Sequence, residues 1–103
     1  MLSYILAFME NAKIAQIAKQ IATANLASVC STSSVSTVDY EGRDAVRITI
    51  VLNSDSAASI KSKGNAVLDT LVQIKKKLEE EGEERFPIVE YATEEELKES
   101  GDS

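Results

Sequence analysis

Residues 44–53 constrain this chain more than any other stretch. Val46, Ile48, Ile50 and Leu52 alternate with Ala45, Arg47, Thr49 and Val51, which gives a pleated strand one wholly aliphatic face. Such a face must be covered, and long helical periodicities lie on both sides of it in the sequence. The expectation is a folded α+β domain, with helices laid over a small sheet.

At 103 residues the chain has room for one domain and a modest core. Its 44% apolar content is rich in alanine and only 5% of residues are aromatic, so the core is thin and oligomerisation would help to bury more surface. Residues 1–99 read as a single α+β domain and 100–103 as a frayed acidic tail. There is no histidine, which removes the commonest general base and the commonest metal ligand. The lone Cys30 has no intramolecular disulfide partner and no companions for a zinc site. No cofactor or metal is expected, and a reducing cytoplasm is the natural compartment. Residues 1–9 are apolar but lack a basic flank, and Glu10, Lys13 and Lys19 interrupt the run well short of a bilayer span. No membrane association is expected. Met9 is a plausible start, which would make residues 1–8 a non-native extension.

The net charge of −6 conceals an asymmetry: residues 1–78 carry +3 and residues 79–103 carry −9. Nucleic-acid binders usually present a dense basic patch. Here the only candidates are Lys75–Lys77 with Lys61 and Lys63, so nucleic acid is an unfavoured partner.

Residues 4–28 have the spacing of an alanine-rich helix with Ile14, Ile17, Ile21 and Ala24 on one stripe. That stripe could cover the sheet or dock on a copy or partner. A polar Ser/Thr run, 31–37, leads into a strand ending near Tyr40. A loop of even length would put Asp39 on the apolar face, so an odd loop is expected. A loop at 42–44 would pair Tyr40 with Val46, Val38 with Ile48 and Ser36 with Ile50. Ser54, Asp55 and Ser56 are N-cap candidates for a helix over 57–81, whose stripe runs Ile60, Gly64, Val67, Leu71, Ile74, Leu78 and ends at Gly82. A third strand over 85–91 contains Pro87, which belongs at a strand start or a sheet edge. Thr93–Glu96 matches a capping box for a short last helix. The expected architecture is a two-layer sandwich of order α-β-β-α-β-α, an antiparallel hairpin plus a third strand covered by two long helices.

Chemistry is harder to find. The glutamates Glu79, Glu80, Glu81, Glu83 and Glu84, with Glu94, Glu95 and Glu96, lack the spacing of a calcium loop and read as a solvated face or a docking surface for a basic partner. Residues 61–65, with Gly64 among lysines and a serine, do not match a phosphate loop. Cys30, at the end of an apolar helix, reads as a buried or half-buried inert thiol. No catalytic residue is assigned. An uncharged edge at residues 31–37 would invite strand addition.

The resulting expectation is a small non-catalytic interaction or regulatory protein that binds another protein, as a homodimer. One alternative is an RNA- or ribosome-associated accessory protein. The element order is similar to that of small KH-type ribosome-assembly factors, although their glycine-rich clamping loop is missing. A second alternative is a small-molecule or metal-dependent enzyme, for which the sequence advertises no polar pocket.

Overall fold

The computed structural model describes residues 10–26, 29–53 and 64–96. The expected N-terminal extension, the cap candidates at 54–56, Ile60, the lysine-flanked segment 61–63 and the tail lie outside them. Helix α1 (Asn11–Asn25) leads to strands β1 (Val29–Val38) and β2 (Asp44–Leu52). Helix α2 (Gly64–Glu80) then crosses to strand β3 (Phe86–Thr93), and a helical turn follows at residues 94–96. The expected order α-β-β-α-β-α and the two-layer arrangement are present. The sheet order is β1-β2-β3, with β1 antiparallel and β3 parallel to the central β2. Pro87 accordingly sits near the start of an edge strand, where a missing backbone donor costs least.

The aliphatic row of β2 is the centre of the core. Val46, Ile48, Ile50 and Leu52 are buried against Ile14, Ile17, Ala18 and Ala22 of α1 and Ile74 and Leu78 of α2. Each large aliphatic side chain taken out of water contributes about 1.5–3 kcal/mol. The inner face of β1 is instead hydroxylic. Thr32, Ser34 and Ser36 stand opposite Ile50, Ile48 and Val46, and α1 lies along them. Thr32 Oγ1 donates to the Ala15 carbonyl at 2.6 Å, and Ser34 Oγ approaches Asn11 Oδ1 at 3.4 Å.

The hairpin has the odd loop that the buried face demands, but two residues earlier than the 42–44 position expected from sequence. Val38 pairs with Asp44 and Ser36 with Val46, so the pairings Tyr40–Val46, Val38–Ile48 and Ser36–Ile50 do not occur. The turn chemistry explains the shift. The Gly42 N–H donates to the Asp39 carbonyl and the Asp39 N–H to the Arg43 carbonyl, both at 2.9 Å, which closes a three-residue loop at 40–42. Gly42 takes the left-handed position of that loop, φ +84°. Asp39 Oδ1 accepts the N–H groups of Glu41 and Arg43 at 2.9 and 3.0 Å. Moving the loop by two positions slips the pairing by four residues, an even number that leaves every side chain on its proper face.

Both ends of the second half are capped as the sequence indicated. At the C-terminus of α2, Gly82 has φ +94°, and the Gly82 and Glu83 N–H groups donate to the carbonyls of Glu79 and Leu78 at 3.1 and 2.9 Å. These are the paired bonds of a Schellman motif. At residues 93–96, Glu96 Oε1 accepts the Thr93 N–H at 3.0 Å while Thr93 Oγ1 accepts the Glu96 N–H at 3.2 Å, a complete capping box. The α2 stripe differs from expectation: of its described residues Ile74 and Leu78 are buried, but Val67 and Leu71 are only half-buried. Thr70 is fully buried, whereas Leu68, beside the expected stripe, is exposed.

Candidate interaction surface

Phe86, the first residue of β3, is 53% exposed although it is the bulkiest apolar side chain on that strand. On one side of it stands Val72 of α2, 56% exposed, while Leu68, 59% exposed, lies one helical turn further toward the α2 N-terminus and outside the groove. Leu71, Val72, Lys75 and Lys76 form with Phe86 and Pro87 a shallow groove of about 410 Å³. The Lys75 ammonium lies 5.4 Å from the Phe86 ring centroid, a cation–π contact worth about 0.5–1 kcal/mol at an exposed site.

On the other side of Phe86 a second groove, of about 640 Å³, reaches the hairpin. Val38, Tyr40 and Ile88 supply its apolar walls; Arg43, Arg47 and Glu84 supply charge. Tyr40, at the hairpin tip, is 96% exposed. Phe86 therefore stands as a ridge between two apolar grooves, with ionic groups of both signs at the rim. Burial of an exposed phenylalanine and two aliphatic side chains would drive association, and the rim charges would select the partner.

The acidic residues do not form one cluster. Glu79, Glu80 and Glu81 close α2, Glu84 follows, and Glu94, Glu95 and Glu96 lie beyond the far end of β3. An eight-residue strand separates the two sets by roughly 25 Å. Glu81 is engaged by Lys13 and Lys77, each at 3.5 Å. Glu83 is not a docking residue: it is buried, with Oε2 2.9 Å from Arg85 Nε. The physical reason is the Schellman turn at Gly82, which directs the chain back over the sheet and turns Glu83 inward. The exposed acidic groups that line the grooves are Asp44, Glu79 and Glu84.

The α1 stripe is divided as well. Ile14 and Ile17 are buried in the protein's own core, Ile21 is half-buried against it and Ala24 is exposed, so this stripe is spent within the chain rather than offered to a partner. Cys30 also departs from expectation. It is exposed on β1 beside the bulge between Val29 and Ser31, not sequestered at a helix end. Local desolvation, then the Glu94 carboxylate, hold its thiol above the ordinary range, which favours the unreactive protonated form.

Among the described residues no three His, Cys, Asp or Glu side chains converge in a way that could hold a metal ion. No helix of the described residues is long and apolar enough to cross a membrane. The α2 lysines do not form an unbroken basic stripe: Lys77 pairs with Glu81, and Lys75 lies over Phe86. The exposure of Leu68, Val72 and Phe86 was not legible from periodicity alone, because Leu68 lies next to a buried stripe in sequence. The one available signal was Val72, an apolar residue outside that stripe.

Matched against protein-family models, curated proteins and solved structures, the chain finds no counterpart in any of the three.

Proposed function

We propose that this protein is a non-catalytic interaction protein that binds another protein through the Phe86 ridge and its two grooves. The observation that carries the reading is the exposure of Phe86 beside Val72 in one groove and beside Val38 and Tyr40 in the other. A continuous apolar surface rimmed by charge is characteristic of a partner site. Asp44, Glu79 and Glu84 at the grooves, in a chain of net charge −6, favour a partner segment with apolar anchors flanked by Lys or Arg. A single, exposed, unpaired Cys30 suits a reducing cytoplasmic compartment.

The test is selection of peptides from a displayed random library against the folded chain, with Val72→Glu as counter-target. The expected peptides carry an aromatic or branched aliphatic anchor next to basic residues, and they bind Val72→Glu at least tenfold more weakly. Failure to enrich any peptide, or equal binding to Val72→Glu, refutes the reading.

A further inference from the structure

We infer that the free edge of β1 is the dimerisation surface of this protein, pairing antiparallel with β1 of a second copy to give a continuous six-stranded sheet. The proposal rests on the interaction-protein reading but uses a different surface from the Phe86 ridge.

The two edges of the sheet are unequal. The β3 edge contains Pro87 and Glu90, two devices that discourage strand addition. The β1 edge has ten residues, VCSTSSVSTV, with neither a charge nor a proline. Among the described residues β2 is its one strand partner. An uncharged edge has no means of recognising a charged foreign strand, but it can meet a second copy of itself without repulsion.

The geometry of β1 admits that pairing. The Asp39 N–H bonds across to Arg43, so odd-numbered residues of β1 direct their backbone groups to β2. Thr32, Ser34, Ser36 and Val38 then direct theirs to the free edge. The side chains of those same residues face the helical layer, as the pairing of Ser36 with Val46 shows. A two-fold axis through Ser34, at the middle of the strand, satisfies both requirements at once. It pairs Ser34 with its own copy, Thr32 with Ser36 and Ser33 with Val35, and keeps both helical layers on one side.

Pairing of one ten-residue edge strand buries less than the roughly 800 Å² per partner of a standard interface, so the expected dimer is a weak one, to which the first turn of α1 adds. That helix lies along β1, and its Ala12, Ala15 and Lys19 occupy the flank turned away from α2, where Lys13 and Asn25 make their contacts. Asn11 is level with Ser34 and α1 runs away from the axis, so of these residues Ala12 is the one that comes close to its own copy. The two Lys19 side chains would stand roughly 24 Å apart, beyond the reach of their repulsion at physiological salt.

Sedimentation of the full chain over a wide concentration range tests the proposal, together with Ser33→Glu/Val35→Glu and Ser33→Lys/Val35→Glu. Val35 is 52% exposed and pairs with Arg47, and Ser33 is exposed, so both doubles keep the fold. The expected result is a dimeric wild type and loss of the dimer with two glutamates. The dimer should return in the charge-reversed double, where the lysine introduced at position 33 meets the glutamate introduced at position 35 of the other copy. Backbone amide exchange at Thr32, Ser34 and Ser36 in the wild type should slow as concentration rises. A monomeric wild type, a dimer that survives two glutamates, or no recovery with the charge-reversed double overturns the proposal. A monomer that still binds the selected peptides refutes only the dimer; a dimer that binds none refutes only the ridge.

Discussion

Glu83 and Arg85 form an ion pair almost wholly withdrawn from water, with Nε 2.9 Å from Oε2 and side chains 0% and 6% exposed. The guanidinium also donates from Nη2 to Glu83 Oε1 at 3.0 Å and from Nη1 to Ser36 Oγ at 3.0 Å. The pair thus ties the α2–β3 connection to β1, across the sheet from β3. Breaking such a pair on one side strands a buried charge, which costs about 3–5 kcal/mol. Glu83→Ala and Arg85→Ala should each lower stability by that order in denaturant unfolding. Glu83→Leu/Arg85→Met should lose far less than the two single losses combined, and a strictly additive double would show that the pair is not coupled.

Asp39 gives the hairpin a pH dependence of known sign. Its carboxylate accepts the Arg43 N–H, the largest influence, together with the Glu41 N–H and the Arg43 guanidinium, which outweigh desolvation and hold it below the ordinary carboxylate range. A lowered folded pKa stabilises the native state at pH above the unfolded value, and that contribution disappears as pH falls through the folded one. Asp39→Asn should therefore lower the melting temperature at neutral pH and shrink the difference from wild type on acidification below about pH 4. A difference that is constant down to about pH 2 would exclude the mechanism.

The glycines at 42 and 82 are required by their backbone angles alone. A Cβ at either would meet nothing within 4 Å, yet both have strongly positive φ. Alanine at either site should cost roughly 1–2 kcal/mol, the penalty of the left-handed region. Asparagine should cost less. Equal losses for alanine and asparagine would point to a contact instead.

Among the described residues of α2, Thr70 is the one fully buried polar side chain, donating from Oγ1 to the Ala66 carbonyl at 2.7 Å and receiving Asn25 Nδ2 at 3.1 Å. Thr70→Val keeps the volume and should cost about 1 kcal/mol. In the Asn25→Ala background the same change should cost measurably less, a coupling that a double-mutant cycle reads directly.

What the sequence made legible follows from the reach of each signal. Strict alternation at 46–52 marked the central strand because a period of two has no competing reading there. Gly82 and the Thr93–Glu96 box marked their turns because caps are local chemistry. The hairpin register was legible only in parity: the aliphatic face requires an odd loop, whereas its position depends on Asp39 and Gly42 three residues apart. Glu83 was hidden by company, since one inward glutamate in a run of outward ones leaves no periodic trace. Its only sign was an arginine two residues on. The division of α1 between core and solvent was hidden because alanine fits either side.

The parallel partnership of β2 and β3 sets the tempo at which the molecule assembles. Ala45 meets Phe86 and Leu52 meets Thr93, so every rung of that ladder joins residues 41 apart in the chain. The β1–β2 turn closes locally, within about 1–10 μs, whereas the β3 rungs require a long loop to close first. Arrival of β3 is accordingly the expected bottleneck, and until it arrives one side of the aliphatic strand stands open to intermolecular capture. Crowded expression would penalise a slow third strand more than it would a weak hairpin.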